Sequence, residues 1–136
     1  MKNSNVLNFR SKLSVARGLG SAKTGVSHWW FQRVTAVALI PLLLWFLSAV
    51  VSVMLSPNVF VVAHWFSSPV NALLMVLMLF ALFFHAKLGL QVVVEDYIHS
   101  PYLKYFALLF NSFFCFAAAA FCIIAVLKLH FLDVAI

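Results

Sequence analysis

The residues able to do chemistry gather in one stretch, His-Ala-Lys-Leu-Gly-Leu-Gln-Val-Val-Val-Glu-Asp-Tyr, from His85 to Tyr97. It closes an apolar run that begins near Val70 and therefore forms the inner half of a membrane helix. With about 3.6 residues per turn, His85 and Asp96 lie three turns plus roughly 20° apart and share a face. A rise of about 1.5 Å per residue separates them by about 16 Å. That spacing puts an imidazole well inside the hydrocarbon and leaves an acid and a phenol, Asp96 and Tyr97, near the water boundary. An ionisable side chain within a membrane span needs a partner or a wet cavity, and so marks a functional site.

His85 is the only one of the five histidines at that depth: His28 and His99 fall near the inner face, His64 and His130 near the outer. A neutral imidazole in a dry bundle suits axial ligation of a haem iron, with its other ring nitrogen held by a hydrogen-bond acceptor. Six-coordinate ligation by two histidines then requires the second from another membrane subunit. Arg33, at the inner end of the first span, has two readings. It snorkels to the headgroups, or its planar fork pairs with a carboxylate such as a haem propionate. Tyr97 likewise reads as an interfacial aromatic or as a hydrogen-bond donor to a quinone carbonyl, with Asp96 orienting the phenol or delivering protons. Gly89, one turn from His85, admits either a closely packed helix or a flat cofactor. Lys87 lies about 200° around the helix from His85, and its long stem reaches toward the inner surface. Glu95 and Asp96 end the helix, where the macrodipole disfavours an acid by about 0.3–1 kcal/mol each. Basic groups of another chain, or Lys104 and Arg33, have to hold them.

The elements that position these groups follow from composition. Of 136 residues, 65% are hydrophobic and 9% charged, with a mean hydropathy of +1.08. Soluble domains carry about 25% charged residues. The expected fold is an all-α membrane protein with three transmembrane helices, near residues 34–54, 70–94 and 106–127, each matching the roughly 20 residues that cross a core of about 30 Å. A basic segment, residues 1–27, precedes an anchor domain, residues 28–136. Pro41 should kink the first helix, and Ala117 to Ala120 allow close packing of the third. Cys115 and Cys122 read as small hydrophobes. The outer connection, with Pro57, Asn58, His64, Trp65 and Pro69, carries turn and interface residues and no obvious chemistry.

The net charge of +6 arises because six of the nine basic residues, Lys2, Arg10, Lys12, Arg17, Lys23 and Arg33, precede the first span without an acid among them. This is an orientation signal and not a nucleic-acid surface. The positive-inside rule places the N-terminus inside and, after three crossings, the C-terminus outside. The same composition fits a mitochondrial transit peptide, whereas the first apolar run is too long and too late for a secretory signal. The compartment is a bacterial inner membrane or a mitochondrial inner membrane.

His85, Gly89 and Asp96-Tyr97, preceded by His28-Trp29-Trp30 and Arg33-Val34-Thr35-Ala36, resemble the small hydrophobic membrane anchor subunits of succinate dehydrogenase, respiratory complex II, across residues 25–130. The resemblance implies a flavoprotein subunit that oxidises succinate, an iron-sulfur subunit that relays electrons to ubiquinone, and a second, larger anchor subunit sharing a b-type haem with this chain. It also implies His85 as a haem ligand, Arg33 as a propionate neighbour, Tyr97 as a ubiquinone donor and Asp96 as its support. The residues before Gly25 fall outside it. The chain has no Gly-x-Gly-x-x-Gly flavin fingerprint and no cysteine cluster, so it does not itself oxidise succinate. Two rival readings are the anchor of a fumarate reductase, running the opposite reaction, and a small proton-relay or transport protein using His85, Lys87 and Asp96. The latter needs acceptors in the outer half of the second span, which is apolar.

Overall fold

The computed structural model describes residues 23–55 and 57–134, so Lys2, Arg10, Lys12 and Arg17 and most of the basic segment lie outside the described residues. The described residues form four helices: α1 (Lys23–Leu55), α2 (Val59–Ser67), α3 (Pro69–Tyr97) and α4 (Pro101–Val134). Three of them contain stretches long and apolar enough to cross a membrane, Gly25–Leu55, Pro69–Tyr97 and Pro101–Phe131. Each exceeds its apolar run. At about 1.5 Å per residue the 29 residues of α3 extend roughly 43 Å, beyond a hydrocarbon core of about 30 Å, into the interfacial layers. Continuing a helix keeps backbone groups paired where water is scarce. α1 runs unbroken through Pro41.

Ile98, His99 and Ser100 alone join α3 to α4. The Ile98 amide donates to Val94 O at 3.1 Å, and the Lys104 amide donates to Ser100 O at 2.9 Å. Pro101, at the first position of α4, lacks an N–H that would be unpaired there anyway. The Lys104 ammonium donates to Glu95 O at 2.9 Å, satisfying a C-terminal carbonyl of α3 with a cation at the negative end of its dipole.

The connection between α1 and α3 contains a helix that the turn residues did not announce. Asn58 Oδ1 accepts from the Phe60 amide at 3.0 Å and caps α2. Pro69 then opens α3 directly. Nine residues are too few for a helix that stands alone in water, and α2 is held from both sides. Asn71 Nδ2 of α3 donates to Trp65 O at 2.9 Å, and His130 Nδ1 of α4 pairs with Phe66 O at 2.8 Å. Trp65 stacks on Trp45 of α1 with ring centroids 5.1 Å apart.

α3 is the middle helix, packed on one side by α1 and on the other by α4, while α2 lies against α4 and α3. Its buried residues are Ala72, Met75, Met78, Ala81 and Leu88, small or flexible side chains that permit close approach. Met75, Met78 and Ala81 join Leu39 of α1 and Val126 of α4 in one cluster, flanked by Trp45, Trp65 and Phe66. Asn111 is the buried polar side chain among the described residues. Its Nδ2 donates to Lys87 O of α3 at 3.0 Å, and Cys115 Sγ lies 3.5 Å from its Oδ1. Cys115 and Cys122 are free thiols, the first buried.

Interhelical hydrogen bonds in membranes average about 0.6 kcal/mol and reach about 1.7. Asn111→Ala is therefore expected to lower the stability of the detergent-solubilised protein by about 1 kcal/mol, read as faster thiol labelling of Cys115 during thermal unfolding. Ser112→Ala on the adjacent position should leave that rate unchanged.

Candidate functional site

The half-buried His85 ring is presented by α3 toward α1, where Gln32 and Thr35 are one turn apart. Thr35 Oγ1 lies 2.9 Å from His85 Nδ1, 2.8 Å from Phe31 O and 3.1 Å from Gln32 O. A hydroxyl has one proton and two lone pairs. A threonine within a helix bonds back to a carbonyl of the preceding turn, and here the same hydroxyl meets His85 Nδ1. The second ring nitrogen, Nε2, faces Gln32 Nε2 at 3.4 Å. That distance is long for a hydrogen bond, so the amide holds the nitrogen loosely. Gly89 lies beside this amide: a Cβ added there would be 3.4 Å from Gln32 Nε2, an ordinary contact.

Toward the start of α1 and the end of α3, the two helices open into a cleft of about 730 Å³. His28, Trp29, Gln32 and Arg33 line it from α1, and Gly89, Gln91, Val92 and Glu95 from α3. His28 Nε2 and Gln32 Oε1 are buried and have no hydrogen-bond partner. Arg33 lies over Trp29, its guanidinium carbon 5.0 Å from the ring centroid, which leaves the N–H edge of the fork free for an anion. Glu95 Oε1 accepts from Gln91 Nε2 at 2.8 Å. The cleft thus holds a cation, an acid and two unsatisfied polar atoms, and Gln32 in its wall is the residue that reaches His85.

The structure brings His85, Gly89 and Arg33 to the α1–α3 seam. Asp96 and Tyr97 stand apart, exposed at the last turn of α3, with Tyr97 79% accessible. Of the two acids it is Glu95 that turns into the cleft. Lys87 lies on the other side of α3, half-buried in a groove against α4 beside Ser112 and Cys115. In the outer half of α3, Asn71 is engaged by Trp65 O, and the buried residues there are apolar.

Sequence reasoning missed Gln32 as a partner of His85, and it missed Asn111. The signal for Gln32 was its position three residues before Thr35 on a face pointing at a membrane histidine. For Asn111 it was an amide within an otherwise apolar run, which has to find a partner in another helix. Among the described residues no three His, Cys, Asp or Glu side chains converge.

A family described as the succinate dehydrogenase/fumarate reductase transmembrane subunit matches residues 8–119. The chain is similar to the succinate dehydrogenase hydrophobic membrane anchor subunit of Rickettsia bellii, 35% identical over 96 residues, which cover 71% of this chain and 76% of that one. The corresponding subunit of Rickettsia conorii is 29% identical over 111 residues, covering 81% and 87% of the two chains. The succinate dehydrogenase membrane anchor subunit of Reclinomonas americana is 30% identical over 80 residues, covering 57% and 66%. No solved structure matches the chain. Three apolar helices and these relatives make it a multi-pass protein of an inner membrane, bacterial or mitochondrial. With the family match spanning most of the sequence and relatives of this identity and coverage, the chain belongs to the succinate dehydrogenase/fumarate reductase transmembrane subunits, as a hydrophobic membrane anchor subunit of succinate dehydrogenase.

Proposed function

We propose that this anchor, paired with a second, larger membrane subunit, holds a b-type haem through His85 and contributes Tyr97 and Asp96 to a ubiquinone site at the inner end of α3. A flavoprotein and an iron-sulfur subunit dock on that inner side. The observation that carries the reading is the placement of His85: a half-buried imidazole within the apolar stretch of α3, with Nδ1 2.9 Å from Thr35 Oγ1 and Nε2 3.4 Å from Gln32 Nε2. With no cluster of ligating side chains among the described residues, the chain offers one nitrogen, which suits a group that brings its own equatorial donors. The b haem, when bound, supplies a one-electron carrier.

The remaining residues do ordinary binding chemistry. Arg33, braced on Trp29, pairs with a propionate at the mouth of the cleft. Tyr97 donates its phenolic proton to a quinone carbonyl, and Asp96 orients it and links the site to water. Reduction of a quinone consumes protons as well as electrons, and the exposed end of α3 is where protons are available. The exposed apolar faces of α1 and α4, including Leu44, Phe116 and Phe121, meet lipid and the second anchor. The N-terminus lies inside and the C-terminus outside, by the basic bias before the first span.

His85→Ala is expected to abolish the b-type difference spectrum of the purified complex; a spectrum that survives unchanged overturns the ligand assignment. Tyr97→Phe should lower ubiquinone reduction about tenfold, the equivalent of one hydrogen bond of about 1.4 kcal/mol, while succinate oxidation with a soluble artificial acceptor persists. Equal loss of both activities argues against a quinone role. For orientation, Ser100→Cys should be labelled by an impermeant reagent from the inner side alone and Asn58→Cys from the outer side alone. The reverse pattern refutes the charge argument.

A further inference from the structure

We infer that the groove between α3 and α4 is a site for an anionic phospholipid, with the headgroup phosphate on the Lys87 ammonium and one acyl chain lying along the groove. The site is on the other side of α3 from His85 and does not depend on how that histidine is read.

A cation within a membrane span has to find a partner. Lys87 stands ten residues before the end of α3, about 15 Å from it. With α3 centred on a hydrocarbon core of about 30 Å, its backbone lies roughly 8 Å inside the boundary, and the long stem carries the charge back toward the headgroups. Among the described residues no hydrogen bond or ion pair engages that ammonium. Glu95, the nearest acid along α3, is about two turns away and lines the α1–α3 cleft instead, held by Gln91. The Lys87 carbonyl, by contrast, is taken by Asn111 at 3.0 Å. That bond pins α3 to α4 at the polar end of the groove, which Lys87 and Ser112 line.

Beyond this end the groove is apolar. From Ser112 to Ile123 it follows α4 for about 16 Å, and its volume is about 280 Å³. Phe80 and Phe84 form a fixed wall: their rings stack 6.0 Å apart with planes 4° from parallel, and Phe31 of α1 meets Phe84 edge-on at 6.1 Å. Ala119 and Ala120 keep the opposite wall low. A helix is about 10–12 Å across and does not enter a slot of this volume, whereas a single hydrocarbon chain does. A helix laid over the slot would also have to bring its own acid to Lys87. A basic group between membrane helices, close to the headgroup layer and leading into an apolar slot, matches a lipid that carries its negative charge on phosphate.

The test uses the assembled complex in detergent, stripped of lipid and titrated with dioleoylphosphatidylglycerol, dioleoylphosphatidylcholine or inorganic phosphate. Thermal unfolding and native mass spectrometry are the readouts. Phosphatidylglycerol is expected to raise the unfolding temperature and to stay bound, and the other two to do neither. Lys87→Gln, which keeps most of the stem and loses the charge, should raise the half-saturating concentration about fivefold, and Lys87→Arg should restore it. Ala119→Leu, which fills the slot and leaves the cation, should weaken binding as well. An equal response to phosphatidylcholine, or an unchanged response in Lys87→Gln, overturns the inference. Saturation by inorganic phosphate overturns it in favour of a simple anion site. Loss of the second anchor subunit from Lys87→Gln with lipid binding unchanged overturns it in favour of an acid on a partner helix. If Lys87→Gln does not assemble, Ala119→Leu decides, and unchanged phosphatidylglycerol binding there overturns the inference.

Discussion

An imidazole within an apolar membrane helix has to be hydrogen-bonded, and the way His85 meets that demand organises the α1–α3 seam of this molecule. A buried polar group left unpaired costs about 1–3 kcal/mol. Thr35 Oγ1 and the Gln32 amide meet the two ring nitrogens from α1. The solution works only if α1 and α3 approach closely at this level. Gly89 stands beside the Gln32 amide in that seam, and Leu39 of α1 sits in the same cluster as Met75, Met78 and Ala81 of α3. Polar contact and apolar packing thus set one and the same register of α1 on α3.

The same logic recurs wherever two elements meet. Asn111, Asn71, His130 and Lys104 each engage a main-chain carbonyl on a neighbouring helix. A carbonyl has two lone pairs, and a helix uses one. Each helix therefore exposes spare acceptors to any side-chain N–H that comes close. Where the receiving carbonyl lies in the last turn of a helix, as in α2 and α3, the contact also answers the open valence of the helix end.

Much of this was legible beforehand, for physical reasons. Three crossings follow from run length, and His85 stands out because a titratable group at that depth is rare. The helices run on beyond the apolar stretches because polarity marks where the hydrocarbon ends, whereas a helix ends where its backbone finds other partners; Lys23 and Pro101 lie well outside the apolar runs. α2 was hidden by residues that punctuate turns. Asn58 and Pro69 are such residues, yet here one caps a helix and the other starts the next. Face arithmetic grouped Asp96 with His85, but the cleft takes Glu95, which Gln91 holds one turn away. Angles around an ideal helix do not include side-chain pairs of that kind. The partners of His85 were the least legible part, since a glutamine and a threonine near a membrane boundary look like interface residues until the facing helix is in place.

The three-residue link between α3 and α4 bears on how the molecule is made. Helices joined so tightly lie side by side as one antiparallel hairpin, so the seam that brings Gln32 and Thr35 to His85 is the contact between that hairpin and α1.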